Sequence, residues 1–130
     1  MTPLRSALIG LWFASACAAA SAQLKIGQTT GVTGAVAATV KESSLGAQLY
    51  LDAVNAKGGV GGEKIELITL DDKFDTQQAL ANAKELIEQR GVLALFMTRG
   101  TPHTEGIIPL LDQHGVSLIG PSTGAMVLHQ

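Results

Sequence analysis

The chain has 130 residues, of which 46% are apolar, 15% charged and 4% aromatic, with a formal net charge of -2. That composition is too apolar and too weakly charged for disorder, and it carries no basic surplus to neutralise phosphates, which excludes nucleic acid as a partner class. Beyond the N-terminus no apolar run approaches the roughly 20 residues that a spanning helix needs.

The first segment reads as an export signal. Arg5 gives a positive start, and Ala7 to Ala20 is a run of apolar and small residues that includes Leu8, Ile9, Leu11, Trp12 and Phe13. Ala20-Ser21-Ala22 then has the small-x-small form that signal peptidase accepts. Residues 1–22 are therefore expected to be a signal peptide cut after Ala22, with a periplasmic chain starting at Gln23. A permanent anchor would need a longer apolar run. The single cysteine, Cys17, lies in this segment; lipidation there would call for a Leu-like residue at position 14, where Ala14 stands. Cut after Ala22, the remaining chain has no thiol and no disulfide.

From Leu24 the pattern alternates strand and helix. Leu24–Gln28 reads as a short strand, followed by a Gly/Thr-rich turn over Gln28–Gly34. A helix is expected through about Lys57, with an apolar stripe of Leu45, Leu49, Ala53 and Val54 at helical spacing. Gly58-Gly59-Val60-Gly61-Gly62 stops it. Lys64–Leu70 reads as the second strand and ends in Asp71-Asp72. The next helix, Thr76–Gln89, should bury Leu80, Ala83, Leu86 and Ile87. Val92–Met97 is a continuous apolar run, as in a strand covered on both faces. Thr101-Pro102 has the form of an N-cap followed by proline at the first helical position, opening a helix to about His114 that Pro109 should kink. Val116–Ile119 is the fourth strand, and Gly120–Gly124 turns towards a further helix.

The order βαβαβαβ predicts an α/β fold with a doubly wound parallel sheet. In such sheets ligands bind beyond the carboxyl ends of the strands. Four loops share that edge here: 28–34, 71–73, 98–104 and 120–125. Three are rich in Gly, Thr and Ser, which offer open backbone N–H groups and short hydroxyls. Helix N-termini behind them favour an anion such as a carboxylate. This chemistry suits holding a small polar ligand better than breaking a bond.

Other patterns read less sharply. Asp71-Asp72 with Asp75 has the look of a Mg²⁺ or phospho-acceptor cluster, but it follows the second strand, and an exposed turn with helix capping by Asp or Thr fits better. His103, His114 and His129 lack the close spacing of a metal site, so no metal and no cofactor are expected; His103 reads as a first-turn residue of its helix. Gly27, Gly31 and Gly34 have G-x-x-x-G-x-x-G spacing, not the dinucleotide-binding G-x-G-x-x-G. No G-x-S-x-G elbow or nucleophile–base pair stands out, so an enzyme is not expected.

Five stretches in order carry a resemblance: Leu24–Gly34, Asn55–Leu67, Asp71-Asp72, Gly100–Thr104 and Gly115–Ala125. Together they resemble the Leu/Ile/Val-binding protein family of type I periplasmic solute-binding proteins, over essentially all of the chain from Gln23. The resemblance implies that 23–130 is the N-terminal lobe of a two-lobed receptor, truncated near the crossing to the second lobe. It implies the substrate-binding component of an ABC importer for branched-chain amino acids or a related small carboxylate, with an inner-membrane permease as partner. The implied ligand residues are Thr98, Arg99, Gly100 and Thr101 on one loop and Ser122, Thr123 and Gly124 on the next. Thr101 Oγ1 and nearby N–H groups would meet a carboxylate; the Ser122 carbonyl and the Thr123 hydroxyl would meet an ammonium. Gly124 lacks the hydroxyl that many family members carry, and Arg99 is not a usual family residue, which opens the ligand set to organic or aromatic acids. A ligand-sensing module on the same fold and a Rossmann-like cofactor enzyme are the competing readings; a fused output segment or turnover of a ligand would distinguish them.

Overall fold

A computed structural model describes residues 23–129. The signal-peptide and Cys17 readings fall on residues 1–22 and lie outside it. The elements are β1 (Gln23–Thr30), α1 (Ala37–Ala56), β2 (Lys64–Asp71), α2 (Thr76–Glu88), β3 (Ala94–Phe96), α3 (Thr101–His114) and β4 (Ser117–Ile119), then a 3₁₀ turn over Met126–His129. The strands form one parallel sheet, as the alternation predicts, in the order β2-β1-β3-β4. Winding starts at β1, moves to β2 on one side, and crosses back to β3 on the other. The reversal leaves a crevice between the carboxyl ends of β1 and β3, the place where parallel sheets of this type accept ligands.

The core lies on one face of the sheet. Ala79, Ala83, Leu86 and Ile87 of α2 pack with Val92, Leu95 of β3, and Ile107 and Leu111 of α3. Gly27 makes the close approach of α2 to β1 feasible, since a Cβ there would lie 3.1 Å from both Leu86 and Leu95 side chains. The expected α2 face is largely realised, with Ala79 and the polar Asn82 added to it and Leu80 only half-buried. Asp75 caps α2, its carboxylate accepting the Gln78 N–H at 2.8 Å.

Helix α1 covers the opposite face and departs from expectation. Its buried residues are Val40 and Leu51, while Leu45 and Leu49 are 58% and 63% exposed. The residues turned inward are Val40, Ser44, Ala47, Leu51 and Val54, a stripe interrupted by a serine and an alanine. The larger apolar residues one position along gave the stronger sequence signal but face outward. The run at 92–97 forms a strand only over Ala94–Phe96; Ala94 and Leu95, which point to opposite faces, are both buried, while Leu93, just before the strand, is 61% exposed.

Asn55, in the last turn of α1, ties the helix to the edge of the sheet. Its side-chain amide donates to the Ile65 carbonyl and accepts the Ile65 N–H, both at 2.8 Å. Helix α3 starts one residue earlier than expected: Gly100, at φ +97°, is the N-cap, and Thr101 and Pro102 occupy the first two helical positions. A left-handed Gly100 lets the chain turn sharply out of β3, and Thr101 is thereby freed from capping. The helix continues past Pro109 to Gly115, whose left-handed conformation closes it.

Candidate functional site

The loops after β3 and β4 stay zipped together beyond the strands. The Met97 N–H donates to the Ile119 carbonyl at 2.9 Å, Ser122 N–H to Thr98 at 2.8 Å, and Gly100 N–H to Ser122 at 3.1 Å. Arg99 and Ser122 thus form a parallel bridge that extends the ladder. The pairing brings Thr101 and Thr123 side by side at the start of α3. The Ala125 N–H donates to Thr123 Oγ1 at 3.1 Å, and the Thr123 hydroxyl donates to Thr101 Oγ1 at 3.0 Å. A hydroxyl carries one proton and two lone pairs, so this relay leaves the Thr101 proton to donate onward. Successive donors in one chain polarise each other, which strengthens the last one towards an anion. The first-turn N–H groups of α3, which have no acceptor within the helix, add to the same field.

The other residues expected on these loops take different parts. Thr98 is fully buried, with Oγ1 3.4 Å from Thr104 Oγ1, so its side chain supports the loop from beneath. Arg99 and Gly100 are half-buried and Ser122 and Gly124 exposed. The Ser122 carbonyl already accepts the Gly100 N–H and keeps one lone pair for another donor. A Cβ at Gly124 would meet nothing within 4 Å, so that position is open.

The loop after β2 enters the same crevice, as its place among the four strand-end loops leads one to expect, although none of its residues was assigned to the site. Asp71 accepts the Thr33 hydroxyl at 2.6 Å and the Thr33 and Lys73 N–H groups at 3.1 and 2.9 Å, joining it to the loop after β1. The Thr33 hydroxyl, with the backbone N–H groups behind it, holds this carboxyl below the usual range. Asp72, expected in an exposed turn, is instead 1% exposed; it accepts the Thr29 hydroxyl at 3.1 Å and the Phe74 N–H at 2.8 Å. Burial pushes its carboxyl above the usual range, against the lowering effect of those two bonds. Asn82 continues the network by donating to Thr29 and to the Asp71 carbonyl, while accepting from Gln78.

Lys73 and Phe74 both adopt left-handed backbone, at φ +53° and +61°. Such conformations cost non-glycine residues roughly 1–3 kcal/mol each, and the carboxylates that receive both N–H groups offset it. The Phe74 ring stacks on His103 with centroids 4.6 Å apart and 20° between planes. His103, in the first turn of α3 as expected, is 5% exposed, and neither ring nitrogen has a hydrogen-bond partner among the described residues. Asn82 was the one sequence signal for this network: a polar residue on the buried face of an amphipathic helix requires partners. Phe74 and His103 are 29 positions apart, and nothing in their spacing announces a stack.

A groove of about 620 Å³ lies elsewhere, under α1, lined by Val32, Val40, Leu45 and Leu67 with Gln28 and Thr69. Its lining is mainly apolar and carries Lys41 as its one charged side chain, so the polar crevice is the better place for a carboxylate held by several donors. Among the described residues no three His, Cys, Asp or Glu side chains gather as a metal site.

The sequence profile of a family described as periplasmic binding protein matches residues 23–127. The chain belongs to that family. Among curated relatives, Leu/Ile/Val-binding protein homolog 8 of Brucella suis is 39% identical over 84 residues, covering 65% of this chain and 21% of that protein. Homolog 7 of the same organism is 40% identical over 81 residues, or 62% of this chain and 20% of the relative. The chain thus spans about a fifth of the length of the curated relatives it matches. Among solved structures it is similar to the branched-chain amino acid transporter substrate binding protein LivJ from Streptococcus pneumoniae, in complex with isoleucine. That match has 32% identity and a TM-score of 0.73, over 78% of this chain and 29% of the other. A possible leucine/isoleucine/valine-binding protein from Rhodopirellula baltica matches at 30% identity and TM-score 0.78, over 84% and 30%. The expected resemblance and fold class therefore hold for this member of the periplasmic binding protein family.

Proposed function

We propose that the chain is the ligand-gripping first lobe of the solute-binding component of an ABC importer. Residues 1–22 serve as its export signal, 23–130 form the lobe in the periplasm, and an inner-membrane permease receives the cargo. The ligand is a small carboxylate, a branched-chain amino acid or a related acid. The observation that carries this reading is the relay from the Ala125 N–H through Thr123 to Thr101, ending in a free proton at the start of α3. Arg99, Gly100, Ser122 and Gly124 form the rim of the grip, and Thr98 braces it from below. The site offers donors to an anion without a nucleophile beside a base, which favours binding over turnover.

The test uses the protein as its host produces it. Native mass spectrometry should give a chain that begins at Gln23 and carries a small acid identified by its mass. Thr101→Ala and Thr123→Ala should each weaken binding of that acid by about 1–3 kcal/mol, because a charged group loses a hydrogen bond. Unchanged affinity in both variants would place the ligand elsewhere.

A further inference from the structure

A large apolar side chain on a polar loop is informative when the loop is built to hold it in place. Phe74 stands in the run Asp71-Asp72-Lys73-Phe74-Asp75 and is 39% exposed. Its backbone and that of Lys73 are left-handed, and Asp71 and Asp72 accept the two N–H groups at 2.9 and 2.8 Å. Its ring lies on His103, whose imidazole is 5% exposed and has neither nitrogen hydrogen-bonded. A buried, unsatisfied imidazole is unfavourable for folding alone and calls for another explanation. The place of the ring is also specific. A Cβ on Gly31, after β1, would lie 3.2 Å from the Phe74 nitrogen, and one on Gly100, after β3, 3.1 Å from Phe74 Cε2 and 2.7 Å from His103 Nδ1. Gly31 therefore leaves room for the backbone of Phe74 and Gly100 for its ring, at the carboxyl ends of β1 and β3. Thr101 follows Gly100 directly, so the ring and the proposed grip lie on either side of the same turn of chain.

We infer that Phe74, backed by His103, is the specificity surface of this site, and that it selects a carboxylate bearing an aromatic ring over a branched aliphatic one. The inference rests on the reading of Thr101 and Thr123 as the carboxylate grip and adds to it the other end of the ligand. His103 fixes the tilt of Phe74 from behind, and the open part of the ring offers a flat surface for offset stacking. Aliphatic side chains gain burial from such a surface but not the stacking geometry.

The probes are benzoate and leucine, titrated calorimetrically into the protein as its host produces it. Benzoate should bind more tightly than leucine, and Phe74→Leu should reduce that ratio about five- to tenfold, the scale of one aromatic stack. Phe74→Trp should retain the ratio, which a merely structural role for position 74 would not predict. Should Phe74→Leu fail to fold, Phe74→Met, longer and more adaptable, serves for the same comparison. An unchanged ratio in the aliphatic variants, or no benzoate binding by the natural protein, overturns the inference. Thr101→Ala separates the two readings. If it weakens both probes alike while the ratio depends on residue 74, both stand; if both affinities survive it, the grip itself is misplaced and the inference falls with it.

Discussion

Asp71 and Asp72 are adjacent, yet their carboxyls are driven in opposite directions, one by hydrogen bonds at the surface and the other by burial. A carboxyl held below its unfolded value stabilises the fold above that value, and the contribution is lost as pH falls through the folded one. Asp71 is of this kind. Asp72 has the reverse sign: its contribution to stability rises as pH falls through its raised value, and it partly compensates on the acid side. In urea unfolding followed from about pH 6 to about pH 3, Asp71→Asn should make the loss of stability shallower and Asp72→Asn should make it steeper. Equal slopes in the two variants would contradict the two environments. Gly100→Ala is a second test at this scale. It places a side chain at φ +97° and 2.7 Å from His103 Nδ1, and should cost about 1–3 kcal/mol in the same assay. Thr101 and Thr123 entered the proposed site through the family resemblance, because a short hydroxyl beside a glycine at a strand end serves equally well as a helix cap. The stack of Phe74 on His103 was not legible at all, because a stack between a loop and a helix depends on left-handed backbone that Lys-Phe does not advertise.

Among the elements, α2 was the most legible and α1 the least. The pattern of α2 is strongly amphipathic, and Leu86, fully buried between β1 and β3, is its centre. Leu86→Ala should cost about 2–5 kcal/mol. In α1 apolar residues occur around most of the helix, so periodicity alone selected the wrong side. The sheet decides, because only the stripe through Val40 and Leu51 lies against it. Leu51→Ala should therefore lower stability by about 2 kcal/mol or more, while Leu49→Gln should stay within about 0.5 kcal/mol. Guanidinium unfolding of the isolated 23–130 chain measures both. A large loss at Leu49 would mean that the outer face of α1 is covered. The boundary of α3 was misplaced by one residue because Thr-Pro is a common start; glycine at the preceding position, left-handed and without a side chain, took the capping role.

For the molecule as a whole, the parallel order and the position of the crevice followed from the alternation of strand and helix, since right-handed crossovers leave few other arrangements. The proposed grip, however, has one side. All its donors come from loops at one sheet edge, and a ligand resting there keeps its far side in water. On the proposed two-lobed reading, leucine or benzoate should bind the isolated 23–130 chain at least about a hundredfold more weakly than the protein as its host produces it, because a second lobe would supply further desolvation. Similar affinities in calorimetry would mean that residues 23–130 supply nearly all of the binding.

The pairing of Asn55 with Ile65 has a consequence for behaviour at high concentration. Strand β2 is an outer strand, and outer strands present spare N–H and C=O groups to any passing extended chain. The Asn55 amide imitates a peptide group and occupies one such pair, acting as a built-in stopper against end-to-end growth of the sheet between molecules. Without it, as in Asn55→Ala, light scattering should rise with concentration before any change in the melting of the fold.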